Sequence, residues 1–499
     1  MSEGLPGFAP FDSSATGWLE AVLPAYLART RWFPAKARVI AHVTATPLAS
    51  IPLPKAVATL LLVGVEFEGG VTDEYLAPLC AVPADGAGEI PEQAIVTQVG
   101  DGTLLADATA LPAFSTALLR LIVDNARLSG AHGQIICSSL GSLPLGALPT
   151  PMDAQQSNTS IRFGDRLILK LFRRIERGLN PDLEIGRFLT TRGFPAIAPV
   201  VGAIELAPPM GEPWSLAILH PFIPNRGDAW TVALALLGAF VAQQDGDLPP
   251  VPARLLDVLI PPEVENRLGE SLAFARLIGR RTAELHLALV GDPADPAFAP
   301  EAATAKDQAA LAKEVRTRWG RVHRLLTDGP LAGRRDAARL IDVGPVLAAR
   351  ITGFLARPPS GALIRCHGDY HLGQLLVRDD DVVIVDFEGE PSRSLAERRA
   401  KHSPLRDVAG MLRSFDYAAA TVGSPQAEHW RGWASASFLR AYLDTFGGAM
   451  ILPVSSEDLT AWLETLLLEK ALYEVEYEAN SRPEWVGIPL TGLARVLGI

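Results

Sequence analysis

The chain has 499 residues, of which 48% are hydrophobic and 20% are charged. A chain of this length exceeds what one hydrophobic core supports, so we expect two or three domains without long disordered segments. The formal net charge is −11, which argues against a nucleic-acid partner because phosphate neutralisation requires a basic surface. A local basic pocket for a phosphorylated ligand remains compatible with this charge.

Cys80, Cys137 and Cys366 are too few and too widely spaced for a disulfide framework or a zinc motif, which favours a reducing compartment. The N-terminus lacks a basic start followed by an apolar run, so we predict no signal peptide. The longest apolar runs fall short of the ~20 residues of a membrane span. We interpret AVATLLLVGV as a buried strand and AWTVALALLGAFVA as a buried helix. We therefore expect a cytoplasmic protein without a membrane partner.

Strand-like runs dominate the first part of the chain, together with an early helix (WLEAVLPAYLA) and a second helix at 113–123. Strands are predicted again from 133 to about 220. From 229 onward, long helical patterns take over, as in AARLIDVGPVLAARITGFLA and LTAWLETLLLEKALYEVEYEA. This order of elements predicts an α+β fold.

One strand pair interrupts the helical part, in RCHGDYHLGQLLVRDDDVVIVDFEGE (365–390). QLLVR and VVIVDF are typical of strands, and the aspartates between them are turn residues. Asp369 precedes the first strand and Asp386 ends the second, so the hairpin should bring both carboxylates to one end, about 5–10 Å apart. Two carboxylates in such a position favour a bound cation.

Magnesium bound to a nucleotide suits this pair, since the ion takes oxygen ligands from carboxylates, phosphate and water. Protein kinases place an H-x-D loop, an asparagine, a hairpin and a D-F-G segment in the same order. Here His367 and Asp369 are followed by Gln374 and then by the segment D-F-E. We predict Asp369 as the base with His367 as its neighbour, and Gln374, Asp386 and Glu388 as Mg²⁺ ligands.

A phosphotransferase is expected to carry, on an upstream strand, a lysine that binds the phosphates of the nucleotide. RLILKLF alternates around Lys170, after a predicted two-residue turn at Gly164-Asp165. A lysine between apolar strand residues requires a partner. Glu184 is the candidate, because it lies one turn into a helix that should begin at Pro181.

The chain contains neither a Walker P-loop nor a Rossmann glycine fingerprint, and it lacks a glycine-rich kinase loop. A polar segment before the strand pair is the candidate phosphate cradle, through small side chains and backbone N–H groups. Its residues are Gln156, Ser157, Asn158, Thr159 and Ser160. With Lys170 and Glu184 they form the predicted ATP-binding set.

These motifs closely resemble those of bacterial maltokinases, which are stand-alone enzymes or domains fused to trehalose synthase. The resemblance is strongest at 154–188 and 365–490, and LARTRWFPAK (27–36) is similar to part of that family's N-terminal cap. It implies a eukaryotic-protein-kinase-like bilobal fold related to aminoglycoside phosphotransferases. It also implies ATP and Mg²⁺ as cofactors, phosphorylation of maltose at its anomeric hydroxyl, and a functional association with trehalose synthase.

The resemblance further suggests the domain borders and the sugar site. We expect a cap subdomain at 1–110, a kinase-like N-lobe at 111–220, and a helix-rich C-lobe with the catalytic hairpin at 221–499. The family's sugar site lies on the C-terminal helices, where one helical face of EKALYEVEY presents rings and charged groups. The predicted sugar-binding residues are Lys470, Tyr473, Glu474, Tyr477 and, from another helix, Trp230.

Two further expectations concern residues outside these sets. Asp407, inside a predicted helix, should anchor the backbone of the catalytic loop. The segment LAILHPFIPN departs from the family where adenine should bind, and Pro221 lacks a backbone donor, so the nucleotide preference stays open.

Two other functions also stay open. An aminosugar (glucosamine) or aminoglycoside kinase on the same fold would require an acidic pocket for ammonium groups, whereas Lys470 beside Glu474 suits a neutral sugar better. A non-catalytic kinase-like binding module would have lost the base, the lysine or the metal carboxylate. Asp369, Lys170 and Asp386 are all present.

Overall fold

The computed structural model describes residues 16–36, 38–84, 90–100, 102–130, 132–152, 157–243, 248–251, 255–256, 258–448 and 450–499. The chain divides into two compact units. The first comprises residues up to 190 together with 198–224, and the second comprises 191–197 and 225–499. The borders predicted at 110 and 220 stay predictions.

The first unit contains two antiparallel sheets. Its strands are β1 (Ile40–Pro52), β2 (Val57–Phe67), β3 (Thr72–Pro83), β4 (Ile95–Gln98), β5 (Thr103–Asp107), β6 (Arg127–Gly130), β7 (Gly133–Ser139), β8 (Pro149–Pro151), β9 (Thr159–Phe163), β10 (Leu167–Leu171), β11 (Arg174–Ile175), β12 (Gly202–Ala207) and β13 (Trp214–Pro221). One sheet has the order β1-β2-β3-β5-β4 with β11 beside β3, and the other has the order β6-β7-β12-β13-β10-β9-β8. The predicted buried strand is β2, whose residues 58–63 are all buried.

Three helices accompany these strands: α1 (Thr16–Arg29), α2 (Pro112–Val123) and α3 (Pro181–Thr191). The helices predicted in WLEAVLPAYLA and at 113–123 are therefore confirmed. The predicted two-residue turn between β9 and β10 is wrong by one residue. The ladder closes at Phe163–Leu167 and leaves three residues outside it. Gly164 takes a left-handed φ of 55°, and the Arg166 amide donates to the Phe163 carbonyl, as in a three-residue hairpin loop.

The second unit is mainly helical, as predicted. Its helices are α4 (Ala229–Ala242), α5 (Pro262–Ala288), α6 (Ala305–Thr327), α7 (Arg335–Ala338), α8 (Gly344–Leu355), α9 (Leu395–Arg398), α10 (Leu405–Val422), α11 (Pro425–Phe446), α12 (Ser456–Ser481) and α13 (Gly487–Leu497). The pattern AARLIDVGPVLAARITGFLA forms two helices instead of one, because Gly344-Pro345 begins a new helix. Among the described helices, none combines the length and apolar character that crossing a bilayer requires.

The predicted hairpin is confirmed as β16 (Leu375–Arg378) paired with β17 (Asp381–Ile384). A second small sheet pairs β14 (Glu301–Ala302) with β15 (Ala362–Leu363). The hairpin is fixed within the unit by backbone bonds on both strands. The amide of Val377 donates to Gly227 (2.9 Å) and that of Ile384 donates to Ala196 (2.8 Å). The ends of the hairpin, where the candidate residues lie, are therefore held in place.

Candidate active site

A buried carboxylate holds the loop that carries Asp369. Asp407 on α10 accepts the backbone N–H groups of His367 (2.8 Å) and Gly368 (2.9 Å). Burial alone would raise the pKa of Asp407, but hydrogen bonding to His286 and the charge attraction of His286 and His367 lower it overall. The expectation that Asp407 anchors the catalytic loop is confirmed.

Asp407 is itself positioned by two buried side chains. Nε2 of His286 lies 3.0 Å from the Asp407 carboxylate, and Nδ1 of the same ring lies 2.9 Å from the hydroxyl of Tyr442. Because a carboxylate only accepts, Nε2 of His286 is the donor to Asp407. The loop is thus tied through α10 to α5 and α11.

The ring of His367 makes a structural contact. Its Nε2 donates to the carbonyl of Val385 (3.0 Å), and the ring packs against Phe387 with centroids 4.9 Å apart. With 1% of its surface exposed, His367 joins the catalytic loop to the end of β17. Its predicted place beside the base stays a prediction.

Asp369 forms an ion pair with a residue of the predicted sugar site. Its Oδ1 lies 3.3 Å from Nζ of Lys470, and the same ammonium lies 3.2 Å from Oε1 of Glu390. Burial alone would raise the pKa of Asp369, but Lys470, His371 and His367 lower it below its usual value. Burial disfavours the charge on Lys470, yet Asp369 and Glu390 raise its pKa. The Asp369 carboxylate can therefore orient a hydroxyl group, but its lowered pKa means that it binds a proton weakly.

The structure brings the three predicted magnesium ligands to the end of the hairpin. Nε2 of Gln374 donates to Oδ2 of Asp386 (3.1 Å), so the amide nitrogen and not the amide oxygen makes this contact. Carboxylate oxygens of Asp386 and Glu388 lie within 4.8 Å of one another. Asp386 has a left-handed φ of 69°, a strained conformation of the kind that collects at functional sites. These oxygen donors fit a hard divalent cation.

A cavity of about 470 Å³ opens beside Asp369 within the second unit. It is lined by Asp228, Trp230, Asp369, Tyr370, His371, Gly373, Pro391, Gly410, Ser414, Tyr417, Lys470, Tyr473, Glu474, Tyr477, Glu478, Arg482 and Trp485. All five residues predicted to bind the sugar are in this set. Another cavity, of about 500 Å³ between α8, α12 and α13, is lined by residues that the sequence analysis did not single out.

Sequence reasoning missed further residues of this lining, among them Tyr417, Glu478, Arg482 and Trp485. Glu478 continues the stripe of Glu474 by one more helical turn, so helical periodicity could have identified it. Tyr417 on α10 and Trp485 after α12 face each other, with ring centroids 6.3 Å apart and planes at 22°. The Arg482 guanidinium lies 5.1 Å from the Trp485 ring. These contacts form between distant segments, and the local sequence carries no signal for them.

We call the part of the cavity around Tyr417, Arg482 and Trp485 the aromatic wall. Ion pairs fix its acidic residues. Glu474 pairs with the buried Arg413 at 2.7 Å, and Glu478 pairs with Arg482 at 2.6 Å. The Tyr417 hydroxyl donates to Glu478 at 3.0 Å. Burial raises the pKa of Glu474 despite the opposing charge of Arg413.

The predicted nucleotide-binding residues lie in the first unit. Nζ of Lys170 forms its ion pair with Asp182 (2.8 Å), two residues before the predicted partner Glu184. Both acids are buried in the first turn of α3, and the side chain of Asn180 accepts the Asp182 amide (2.9 Å). Lys170 thus has the predicted kind of partner on the predicted helix, and its pairing with Glu184 stays a prediction.

The predicted phosphate cradle is only partly within the described residues. Gln156 lies outside them, and Ser157 and Asn158 lie in the bend before β9. Ser160 faces Lys170 across the β9–β10 ladder. The hydroxyl of Thr159 accepts from Nε of the buried Arg173 at 2.7 Å, so it already has a structural role.

Comparison with known proteins shows which families and folds the chain resembles. Residues 150–450 match the phosphotransferase enzyme family, and residues 26–110 match the maltokinase N-terminal cap domain. A glucosamine kinase of Mycolicibacterium smegmatis is 28% identical over 358 residues, which cover 70% of this chain and 79% of that protein. A glucosamine kinase of Streptacidiphilus jiangxiensis is 26% identical over 477 residues, or 90% and 92% of the two chains.

Solved structures of similar fold cover nearly the whole chain. One is described as a glucosamine kinase in complex with glucosamine, ADP and inorganic phosphate. It has a TM-score of 0.63 and 20% identity, covering 95% of this chain and 98% of its own. Crystal form B of a glucosamine kinase gives a TM-score of 0.66 at 21% identity, covering 94% and 97%. The kinase-like α+β fold with an N-terminal cap is thereby confirmed. The chain belongs to the phosphotransferase enzyme family, as a carbohydrate kinase that carries a maltokinase N-terminal cap domain.

Proposed function

We propose that the protein transfers the γ-phosphate of ATP to the anomeric hydroxyl of maltose and releases maltose 1-phosphate. The observation that carries this proposal is one cavity whose lining includes both Asp369 and the paired rings of Tyr417 and Trp485, which we call its reactive end and its aromatic end. Lys470, beside Asp369, and Glu478, beside Tyr417, are eight residues apart on α12. This spacing corresponds to roughly 12 Å of helix axis. A disaccharide can occupy both ends, whereas a monosaccharide reaches only one of them.

The charges in the cavity favour a neutral sugar. Every acidic residue of its lining already has a partner. Asp228 accepts the Thr231 amide as a helix cap, Asp369 pairs with Lys470, Glu474 with Arg413, and Glu478 with Arg482. At Asp369, Glu474 and Glu478, an ammonium-bearing sugar would have to compete with the cations already present. Hydroxyl groups can instead accept from Lys470 and donate to the carboxylates while the ion pairs persist.

The proposed mechanism is in-line transfer, in which positioning and charge stabilisation supply most of the rate. Asp369 would hold the acceptor hydroxyl and receive its proton. Gln374, Asp386 and Glu388 would hold Mg²⁺, which supplies charge neutralisation on the phosphates when bound. Lys170 would bind the phosphates of ATP. The rings of Tyr473 and Trp485, which line the cavity, would position the sugar and exclude water.

The second candidate is phosphorylation of glucosamine. Both curated relatives and both solved structures named above are glucosamine kinases, and the two relatives cover most of this chain. Their identities of 28% and 26% leave room for a different acceptor.

A substrate panel distinguishes the two candidates. The purified chain is incubated with ATP, Mg²⁺ and maltose, glucose, glucosamine or kanamycin, and ADP release is measured. We expect the highest kcat/KM with maltose. NMR of the product should show a phosphate ester on the anomeric oxygen, and activity should be lost when EDTA removes the metal. The Asp369→Asn variant is the control for contaminating kinases. A preference for glucosamine or kanamycin would overturn the maltose proposal and leave the kinase assignment intact.

The resemblance to maltokinases also supports a metabolic role for the product of this reaction. We infer that the product would supply a glycosyl-transfer reaction of cytoplasmic α-glucan synthesis. Trehalose synthase would be the functional partner. Co-elution of the two purified proteins in size-exclusion chromatography tests a physical association, and separate elution would limit the link to shared metabolites.

A further inference from the structure

The ammonium of Lys470 has two carboxylate partners, Asp369 and Glu390. Glu390 does not belong to the lining of the sugar cavity. Oε1 of Glu390 lies 3.2 Å from Nζ of Lys470, nearly the same distance as Oδ1 of Asp369 at 3.3 Å. Only 3% of Glu390 is exposed. Its other carboxylate oxygen accepts from Nε of Arg393 at 2.9 Å. Glu390 is therefore fixed on one side by Arg393 and fixes Lys470 on the other.

Buried charges behind Glu390 keep it in place. Arg393 also contacts Glu469 (3.0 Å) and Glu314 (2.6 Å), and Glu469 pairs with Arg318 at 3.0 Å. Each member is held by more than one partner, so the ordering of one side chain supports the next. Such a cluster cannot easily release Glu390, because a buried charge without a partner is costly.

The backbone leads directly from the predicted metal segment to Glu390. Gly389 adopts a left-handed φ of 76° between Glu388 and Glu390. A Cβ at Gly389 would lie 3.3 Å from Cγ of Arg398, and the Arg398 guanidinium donates to the Glu388 carbonyl at 2.7 Å. This tight turn lets five consecutive residues, 386–390, carry both the metal carboxylates and the anchor of Lys470.

A lysine side chain needs such an anchor. It is long and flexible, and a single carboxylate partner leaves several rotamers that satisfy one ion pair. With Asp369 as the sole partner, Lys470 could fold over the catalytic carboxylate and block the acceptor hydroxyl. With Glu390 on the far side, the ammonium stays at the edge of Asp369.

We propose that Glu390 is a positioning residue for phosphoryl transfer, which acts by holding Lys470 beside the catalytic carboxylate. This inference rests on the proposed role of Asp369 as the base, but it does not depend on which sugar is the acceptor. Glu390 itself is not among the residues that line the sugar cavity. Its effect on turnover must therefore pass through Lys470.

The test compares Glu390→Gln with Glu476→Gln in the full chain, assayed with whichever sugar gives the highest turnover. Glu476 is the matched control, because it pairs with Arg318 and Arg321 in the same cluster but does not contact Lys470. We expect Glu390→Gln to lower kcat about 10- to 100-fold, as a misplacement near 1 Å can do, with the KM for ATP unchanged. Glu476→Gln should keep kcat close to that of the wild type, and Glu390→Asp should recover part of the loss.

A double-mutant cycle with Lys470→Met identifies the route of the effect. We expect Glu390→Gln to cause no further loss of kcat in the Lys470→Met background. Full additivity of the two losses, or equal losses in Glu390→Gln and Glu476→Gln, would overturn the proposal. Thermal unfolding monitors folding, and Glu390→Asp takes over the comparison if Glu390→Gln does not fold. Activity retained in Asp369→Asn would instead refute the base assignment, which separates that failure from this one.

Discussion

The catalytic loop and the aromatic wall of the sugar cavity are built in opposite ways. The loop is fixed by buried hydrogen bonds to Asp407, whose exposure is 1%. The wall combines buried acids with solvent-facing groups, since Glu478 is 1% exposed whereas Tyr477 is 45% exposed and the side chain of Arg482 is 46% exposed. Exposed ion pairs contribute only about 0–1 kcal/mol each, whereas a buried donor left unpaired costs about 1–3 kcal/mol. The reactive end is therefore rigid, and the solvent-facing groups of the recognition end can change with less effect on folding than the anchor of the loop.

The largest effect should come from the base. Asp369→Asn keeps the shape of the side chain but removes its proton affinity, so we expect kcat to fall about 10²- to 10⁴-fold. Binding of ADP, measured by calorimetry, should persist, because the predicted nucleotide residues lie in the first unit. Near-normal turnover in this variant would show that another group accepts the proton.

The next effect concerns the anchor of the loop. Asp407→Asn replaces one acceptor oxygen with a donor, so one of its three buried hydrogen bonds is lost. We expect the free energy of unfolding to drop by about 1–3 kcal/mol and kcat to fall as the loop loosens. Chemical denaturation and steady-state kinetics measure the two quantities. A variant with unchanged stability would contradict the contrast between a rigid loop and an adaptable wall.

A smaller and more selective effect is expected at the wall. Trp485→Ala removes the ring that faces Tyr417, so kcat/KM for maltose should fall about 3- to 10-fold, as for one lost stacking contact. The value for glucose, if it is turned over, should not change, because a monosaccharide does not reach this end. Trp319→Ala on α6, outside the cavity, is the matched control. Equal losses for both sugars would show that the wall supports the fold and does not contact the second glucose unit of maltose.

The last effect, which is confined to acidic pH, is a pH dependence of stability near the start of the loop. His402 exchanges two backbone hydrogen bonds with Ile364, just before the catalytic loop. Burial, with the nearby charges of Arg406 and Arg393, lowers the pKa of His402 from 6.5 to about 3. The folded protein thus holds this ring neutral, whereas the unfolded chain takes up a proton below about pH 6.5. Its contribution to stability is present above that value and is lost as the pH falls toward 3.

The variant His402→Gln tests this contribution. We expect its melting temperature to decline less steeply than that of the wild type between about pH 6.5 and 3. The two profiles should run parallel above that range. Parallel profiles throughout would show that His402 becomes protonated without cost in the folded protein.

Local sequence was sufficient for the hairpin, whereas the candidate residues along α12 came from the family resemblance together with their helical spacing. The alternation of β16 and β17 and the helical spacing of Lys470, Tyr473 and Tyr477 are short-range patterns that burial of one face enforces. Asp407 was also recognised, because an acid among apolar helix residues requires buried donors. The fold followed from the order of strands and helices together with the family resemblance.

Long-range contacts were not predictable in this way. Glu390 meets Lys470 across 80 positions, and Tyr417 meets Trp485 across 68. The partner of Lys170 was placed on the correct helix but not at Asp182, since both acids of that turn have suitable spacing. The split at Gly344-Pro345 was missed because the apolar pattern continues through it, although glycine before proline is a break signal.

The left-handed backbone of Asp386 places a second demand on that position, independent of any ion. Among residues with a side chain, asparagine and aspartate tolerate this conformation best. Replacement by glutamate would keep the negative charge yet force a poorly suited residue into the turn, so its failure would say little about metal binding. Asparagine removes the charge while preserving the geometry of the chain, and it is the substitution from which the electrostatic part of the site can be learned.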